Sequence, residues 1–394
     1  MTLKDPKDLY TQFLKNHQGK LHFAAHSHHF WPDVTRKAQL DYWDDCSKLS
    51  DEKWNKVFGE VIPEAQKHIA EILNLKDPKQ IAFAPNTHEL LSRILSLFLG
   101  NKEVTILTSI HEFHSWRRQL LRLTELPEVK VKLIENDPTE RRSFIQAFKD
   151  ELKKSPDLFF ISQVFFNSGY ALTDAELMEL YQAKTEKTLM VVDGYHGFCA
   201  LPTDLSQLEG KIFYLAGGYK YAQAGEGAAF LVIPKGDWRP AYTGWFAEFA
   251  ELSMPKGAQV GYSQDFMAFM GATQDPSGLY RFNAVWREFK KHGLDIKSIH
   301  QFIKQQQQYF IDHLPKEFLL KWKLKPLYQD LNWHGHFLTY ESSLAEACEK
   351  ELKNHQIIID RRGERIRFGF GLYQNKEDLN LLLECLQKLA NISP

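Results

Sequence analysis

Lys220 stands between Tyr219 and Tyr221 in LAGGYKYAQAGEGAAF (Leu215–Phe230), a stretch otherwise made mostly of small residues. A surface lysine needs no such setting, and a core strand would avoid the charge. The nearby Gly217, Gly218, Gly225 and Gly227 let the backbone pass close to something bulky. An amine held there, with its pKa lowered by its surroundings, is suited to bonding a carbonyl carbon. Other reactive groups fall just after apolar runs. Asp193 and His196 follow LMVV, and Asn86-Thr87-His88 follow IAFAP. Asn167-Ser168-Gly169 follow FFISQVFF, and Glu112-Phe113-His114 come soon after VTILTSI.

This set suits pyridoxal phosphate (PLP). Lys220 would hold the aldehyde, and Asp193 would keep the pyridine nitrogen protonated so that the ring draws electrons. A helix opening at Thr87-His88 would seat the phosphate on its free N–H groups. Phe113 would stack on the ring, and His196 would sit by the ring hydroxyl. Each residue alone has a plainer reading: a turn aspartate, a helix cap, a core phenylalanine, a structural histidine. Their order along the chain carries the proposal.

The elements that must position them are legible as alternation. From about residue 60 to 235, apolar runs (QIAFAP, EVTILTS, VKVKLIEN, DLFFISQVFF, TLMVVDGY, KIFYLAGG, GAAFLVIP) read as strands. Amphipathic stretches such as NTHELLSRILSLFL and DAELMELYQAKTE, between the earlier runs, read as helices. Strands separated by helices predict an α/β fold with a mainly parallel sheet, its ligand beyond the carboxyl ends of the strands. After about residue 275, long helices accompany HGHFLTYE, IIIDRRG and RIRFGFG, which predicts a smaller α+β domain. The expected organisation is an N-terminal segment (1–60) packing on the small domain, a large domain (61–274) and a small domain (275–394).

With 394 residues, 43% hydrophobic and 25% charged, the chain has the make-up of a globular enzyme. A formal net charge of -1 points to neither nucleic acid nor an anionic membrane surface. The apolar runs are too short to span a bilayer, and the start of the chain shows no apolar signal region, so the cytoplasm is the expected location. Cys46, Cys199, Cys348 and Cys385 are widely spaced and read as reduced thiols. His26, His28 and His29 lack a nearby carboxylate or cysteine to complete a metal set, so no metal is expected, and their loop reads as pocket lining. KQQQQ at Lys304–Gln308 reads as a water-facing turn of helix.

The order of phosphate turn, aromatic, Asp-x-x-His and lysine resembles the aminotransferase class V branch of the fold-type I PLP-dependent enzymes, from HFAAHSHHFWP to GLYQNKEDL. Within that branch the chain is similar to kynureninase. YKYAQAGEG resembles its lysine motif, TGWFAEF its Gly-Trp-Trp segment, and RIRFGFGLYQNKEDL its Arg…Leu-Tyr-Asn motif. The resemblance implies that Lys220 carries the cofactor and moves protons at the substrate Cα. Asp193 pairs with the ring nitrogen, His196 lies near the phenolic oxygen, and Phe113 stacks. Thr87 and the His88 backbone hold the phosphate, and Tyr219 donates to it. Trp245 and Thr273 reach the phosphate of the neighbouring subunit in a homodimer with shared sites. Arg367 clamps the carboxylate of a small amino-acid substrate, with His26 and Ser27 on the substrate loop.

Three places depart from the kynureninase pattern: Trp116 stands where an aspartate is usual, AAHSHHFWP replaces the usual loop, and GATQDPSGLYRF is closer to other relatives. All three bear on substrate recognition. The implied activity is a kynureninase-like hydrolase or lyase breaking a Cβ–Cγ bond, with a class V aminotransferase or another PLP lyase as the alternative. Cysteine desulfurase is disfavoured, because no cysteine falls on a plausible mobile loop. A non-catalytic scaffold ranks last, since both Lys220 and Asp193 are present.

Overall fold

The computed structural model describes residues 5–251, 260–328 and 330–391. A short first strand, β1 (Leu21–His22), is followed by the seven that build the large sheet. These are β2 (Ile81–Ala84), β3 (Val104–Ser109), β4 (Val129–Ile134), β5 (Leu158–Ser162), β6 (Leu189–Asp193), β7 (Phe213–Gly217) and β8 (Ala229–Val232). Their spatial order is β2-β8-β7-β6-β5-β3-β4. Strands β4, β3, β5, β6 and β7 run parallel, and β8 runs antiparallel to both its neighbours. All seven coincide with the apolar runs. Every residue of β2, β5, β7 and β8 is buried, as a sheet covered by helices on both faces requires. The edge strand β4 instead exposes Lys130 and Lys132, which discourage pairing with another chain.

A four-stranded sheet, ordered β12-β13-β10-β9, lies later in the chain. Its members are β9 (Lys325–Pro326), β10 (Phe337–Glu341), β12 (Asp360–Arg362) and β13 (Arg365–Gly369), while β11 (Ile357–Ile358) pairs with β1. Side chains alternate along a strand. One face of this sheet therefore sends Leu338, Tyr340, Ile366 and Phe368 into a second core with Phe310, Leu379, Leu382 and Leu386. The other face carries Asp360 and Arg362 beside Arg367 and Arg365, in the register Asp360↔Arg367 and Arg362↔Arg365.

The N-terminal segment touches both cores. Lys7 pairs with Asp378 at 2.7 Å, and the helix Val34–Leu49 packs on the helix Ser277–Lys291. The latter buries Phe282, Val285, Trp286 and Phe289 in the core of the large sheet. The large domain's loop after β5 is gripped by the small sheet's approach segment. Ala171 N donates to Trp333 O (2.9 Å), and Gly335 N donates to Gly169 O (2.8 Å). The Arg141 guanidinium stacks 4.0 Å over the Trp333 ring.

The glutamine run does not face water throughout. Gln306 and Gln307 are buried, and their amides donate to Gln374 O (2.7 Å) and Gly335 O (2.9 Å). Buried carbonyls without ladder partners need such donors. Among the described residues no helix is long and apolar enough to cross a membrane, and no cluster of three metal-ligating side chains occurs.

Candidate active site

Beyond the carboxyl ends of the parallel strands lies a cavity of ≈ 340 Å³. It is lined by Lys220, Asp193, His196, Tyr219, Thr87, Phe113, Arg367, His26 and Ser27 from the sequence-based set. Asn86, Ser162, Val164, Phe166, Tyr195 and Arg362 complete the lining.

Strand ends deliver most of these groups. Asp193 closes β6 and Ser162 closes β5, side by side in register. The Asp193 carboxylate accepts from Tyr195 N at 2.9 Å. Burial pushes its pKa up to about 6, against the opposing pull of that N–H and of Lys220. Lys220 follows β7 on a turn. Its Nζ lies against Nε2 of His196 and 5.4 Å from the ring centroids of both Phe113 and Tyr195. Burial, reinforced by Arg367, lowers the Lys220 pKa to about 7. Burial and then Lys220 hold His196 well below the usual imidazole range, and its Nδ1 has no partner.

Two of the glycines near Lys220, Gly217 and Gly225, make room for the protein's own aromatics, Tyr195 and Trp31. Gly225 has a φ of +69°, and a Cβ there would collide with the Trp31 indole. Asn86 caps the helix Thr87–Leu95 by accepting from Glu89 N at 3.0 Å, which leaves the first N–H groups of the helix facing the cavity beside Thr87. His88 is exposed and its side chain is outside the cavity lining, so only its main chain belongs to that helix end. Phe113 is 37% exposed and stands edge-on to Phe166 at 5.4 Å. Trp116 turns the other way. It is buried on Phe160 (4.2 Å) and donates to Thr108 Oγ1 at 3.0 Å, so this departure from the kynureninase pattern is a core residue.

The substrate end is built by β12, β13 and the N-terminal loop. Arg367 is buried, donating through Nη2 to Asp360 and through Nη1 to Phe166 O, while its Nε has no partner. His26 stacks on Phe337 (4.6 Å, 21°) with Nε2 3.4 Å from Asp360 Oδ2. A Cβ on Gly369 would collide with the His26 ring, so that strand end admits only glycine beside it. Tyr219 and His28 Nδ1 hydrogen bond at 2.9 Å, tying the lysine turn to the same loop. Trp245 and Thr273 are exposed and lie outside this chain's cavity. Trp245 stacks on Phe249 (5.4 Å), itself 39% exposed.

The donor set fits PLP. An amine of lowered pKa, a buried carboxylate, an aromatic plate with an open face and a helix N-terminus converge on one enclosure. Residues 30–326 match the aminotransferase class-V family. The chain belongs to the aminotransferase class V family. Its enzymes depend on PLP. No curated protein sequence matches the chain. The fold is that of the cystine C–S lyase C-DES, solved with glycine covalently linked to its PLP cofactor (18% identity, 98% of this chain, 99% of that one, TM-score 0.81). It is equally similar to a cysteine desulfurase from Thermococcus onnurineus NA1 (17%, 99% and 99%, 0.81). The cysteine desulfurase CsdA from Escherichia coli is also similar (14%, 99% and 99%, 0.79).

These neighbours overturn the kynureninase-like reading, and with it the setting aside of desulfurase chemistry. The reason is physical. Two of the three motifs that suggested kynureninase lie around Lys220 and Arg367, an amine and a guanidinium that suit an aldehyde and a carboxylate whichever bond is broken, and the third, TGWFAEF, lies outside the cavity. The case against desulfurase also assumed that the sulfur acceptor must be a cysteine of this chain.

Proposed function

We propose that this enzyme cleaves the Cβ–S bond of a sulfur-bearing L-amino acid and passes the sulfur to an acceptor outside the chain. Support comes from one observation above the rest: the cavity brings together groups that suit PLP and a buried arginine that suits a carboxylate, yet none of the four cysteines lines it. Cys199 and Cys348 are buried, with thiols pushed up by burial, Cys348 to about 12. Thiols so far above neutrality are poor nucleophiles. A structural relative named a cystine C–S lyase, solved with its product cysteine persulfide (18% identity, 97% of this chain, TM-score 0.79), agrees with sulfur leaving the site.

In this reading PLP, when bound, draws electrons from the substrate Cα. Lys220 is the catalytic amine, with a pKa lowered to about 7, and removes the Cα proton. Asp193 would hold the proton of the ring nitrogen, because its loss would leave the partly buried carboxylate without a charged partner. His196, kept neutral, accepts from the lysine nitrogen and orients it. Thr87 and the main chain at His88 seat the phosphate, with Asn86 shaping that helix end. Phe113 fixes the ring plane, and Tyr219, held by His28, closes the phosphate side. The unpartnered Nε edge of Arg367 takes the α-carboxylate, while His26 and Ser27 wall the pocket and exclude water.

A homodimer belongs to the same proposal. The exposed Trp245–Phe249 pair, Tyr242 (60% exposed) and Thr273 lie outside their own cavity and are available to a second copy. The free cysteines agree with a reducing, cytoplasmic setting. We also propose the division into segment 1–60, large domain 61–274 and small domain 275–394, with the helix Ser277–Lys291 contributing to the core of the large sheet.

The test is product analysis of the PLP-loaded enzyme with cysteine, cystine and S-alkyl cysteines. A keto acid and ammonia are expected together with sulfide from cysteine, persulfide from cystine or thiol from an S-alkyl cysteine, and alanine only where an added thiol acceptor takes the sulfur of cysteine as a persulfide. Amino transfer to a keto acid without sulfur release overturns the reading.

A further inference from the structure

We propose that Arg362 is a second anion-recognition residue of this cavity, and that the preferred substrates are L-amino acids whose side chain ends in a second carboxylate. The inference deepens the C–S reading and rests on it for the identity of the bond. Four charged side chains line the cavity: Asp193, Lys220, Arg362 and Arg367. The first two serve the cofactor. The two arginines share one counter-ion, because Asp360 accepts from Arg367 Nη2 and lies 3.5 Å from Arg362 Nη1.

Register places them on one sheet face, Asp360 opposite Arg367 and Arg362 one step towards the hairpin turn. An α-carboxylate on the free Nε edge of Arg367 would complete that buried group. Asp360 cannot also neutralise Arg362, whose side chain is 44% exposed at the mouth. Surplus positive charge at this rim is felt by His114, which burial and then Arg362, Arg117 and Arg367 hold below the usual imidazole range. The chain as a whole carries a net charge of -1, so this local excess is not a general property of its surface. A half-exposed guanidinium lining the cavity on the same sheet face as Arg367 suits an anion at the far end of a short side chain.

The experiment compares S-carboxymethylcysteine with the near-isosteric, neutral S-carbamoylmethylcysteine on the PLP-loaded enzyme and on Arg362→Gln and Arg362→Lys. Binding of unreactive glutarate and pentanoate by calorimetry gives a readout independent of turnover. The wild type should favour the acidic member of each pair by at least about tenfold, through KM and Kd. Arg362→Gln should erase that preference with thermal stability intact, and Arg362→Lys should restore part of it. No preference in the wild type, or a preference that survives Arg362→Gln, overturns the proposal. Arg362-dependent glutarate binding without sulfur release from any substrate would sink the C–S reading and leave this one standing.

Discussion

The Nζ of Lys220 lies against Nε2 of His196, a ring whose other nitrogen has no partner. Burial makes both groups prefer to be neutral, so the lysine is a free amine at a pH where an ordinary lysine is charged. In cofactor-stripped protein, borohydride-trappable attachment of PLP should rise with pH, reach half its maximum near 7 and level off above it. A rate that keeps climbing past pH 9 would reject the lowered pKa. Linkage gives a second reading of the same group. The unfolded chain binds its proton up to the ordinary 10.5 and the folded one only up to about 7. The unfolded state therefore holds more protons across that interval, and this group makes the stripped protein more stable as pH rises through it.

Lys220→Ala and Asp193→Asn should fail differently. The first should lose the yellow, reducible chromophore and turnover together. The second should keep a bound chromophore and lose kcat by at least about 10²-fold, because the ring nitrogen no longer holds its proton. Absorbance and steady-state kinetics on the two purified variants decide this. Unchanged kcat in Asp193→Asn would remove Asp193 from the proposed role.

Asp360, at the edge of solvent, pairs with the buried Arg367. Removing one partner strands the other charge, so Asp360→Ala should cost about 3–5 kcal/mol in urea unfolding. Arg367→Met, which removes the charge while keeping bulk, should leave Asp360 at the edge of solvent with Arg362 still 3.5 Å away, and cost less. Substrate affinity should fall in Arg367→Met, read as a rise in KM. Equal stability losses in the two variants would contradict the assigned burial.

A Cβ at position 369 meets the His26 ring. Gly369→Ala should therefore push the N-terminal loop off the pocket, raising KM and costing about 1–3 kcal/mol of stability by overpacking. His26→Ala in the same chain should recover much of the lost stability, which a double-mutant cycle measures.

Mixing Lys220→Ala with Thr273→Ala tests the shared site. If Thr273 serves the partner's phosphate, mixed dimers contain one intact site, and activity should return that neither parent shows. No recovery after subunit exchange would argue that Thr273 has no part in the neighbour's site.

The large sheet was readable because its strands are unbroken apolar runs bounded by turns, a signal local to each segment. Lys220 and Asp193 were readable for the same reason, each sitting where such a run stops. Asp360 and Arg362 were not, since DRRGER looks like any charged turn until the register of β12 on β13 places alternate residues on the cavity side. Ser162 was hidden inside FFISQVFF, where only pairing with Asp193 marks the end of the strand. Gln306 and Gln307 were misread because the carbonyls that need their amides come from distant segments. The bond to be broken was misread because the residues of YKYAQAGEG and RIRFGFG that line the cavity suit an aldehyde and a carboxylate whichever bond breaks, so nothing in those motifs selects a leaving group.

The carbonyl of Phe166 receives a hydrogen from Arg367, and the loop that begins with Phe166 is the one clasped by Trp333 and Gly335. A molecule that draws on that guanidinium also tugs the clasp. Filling the pocket should thus be audible at the hinge, as slower deuterium uptake by the amides of residues 169–171 and 335.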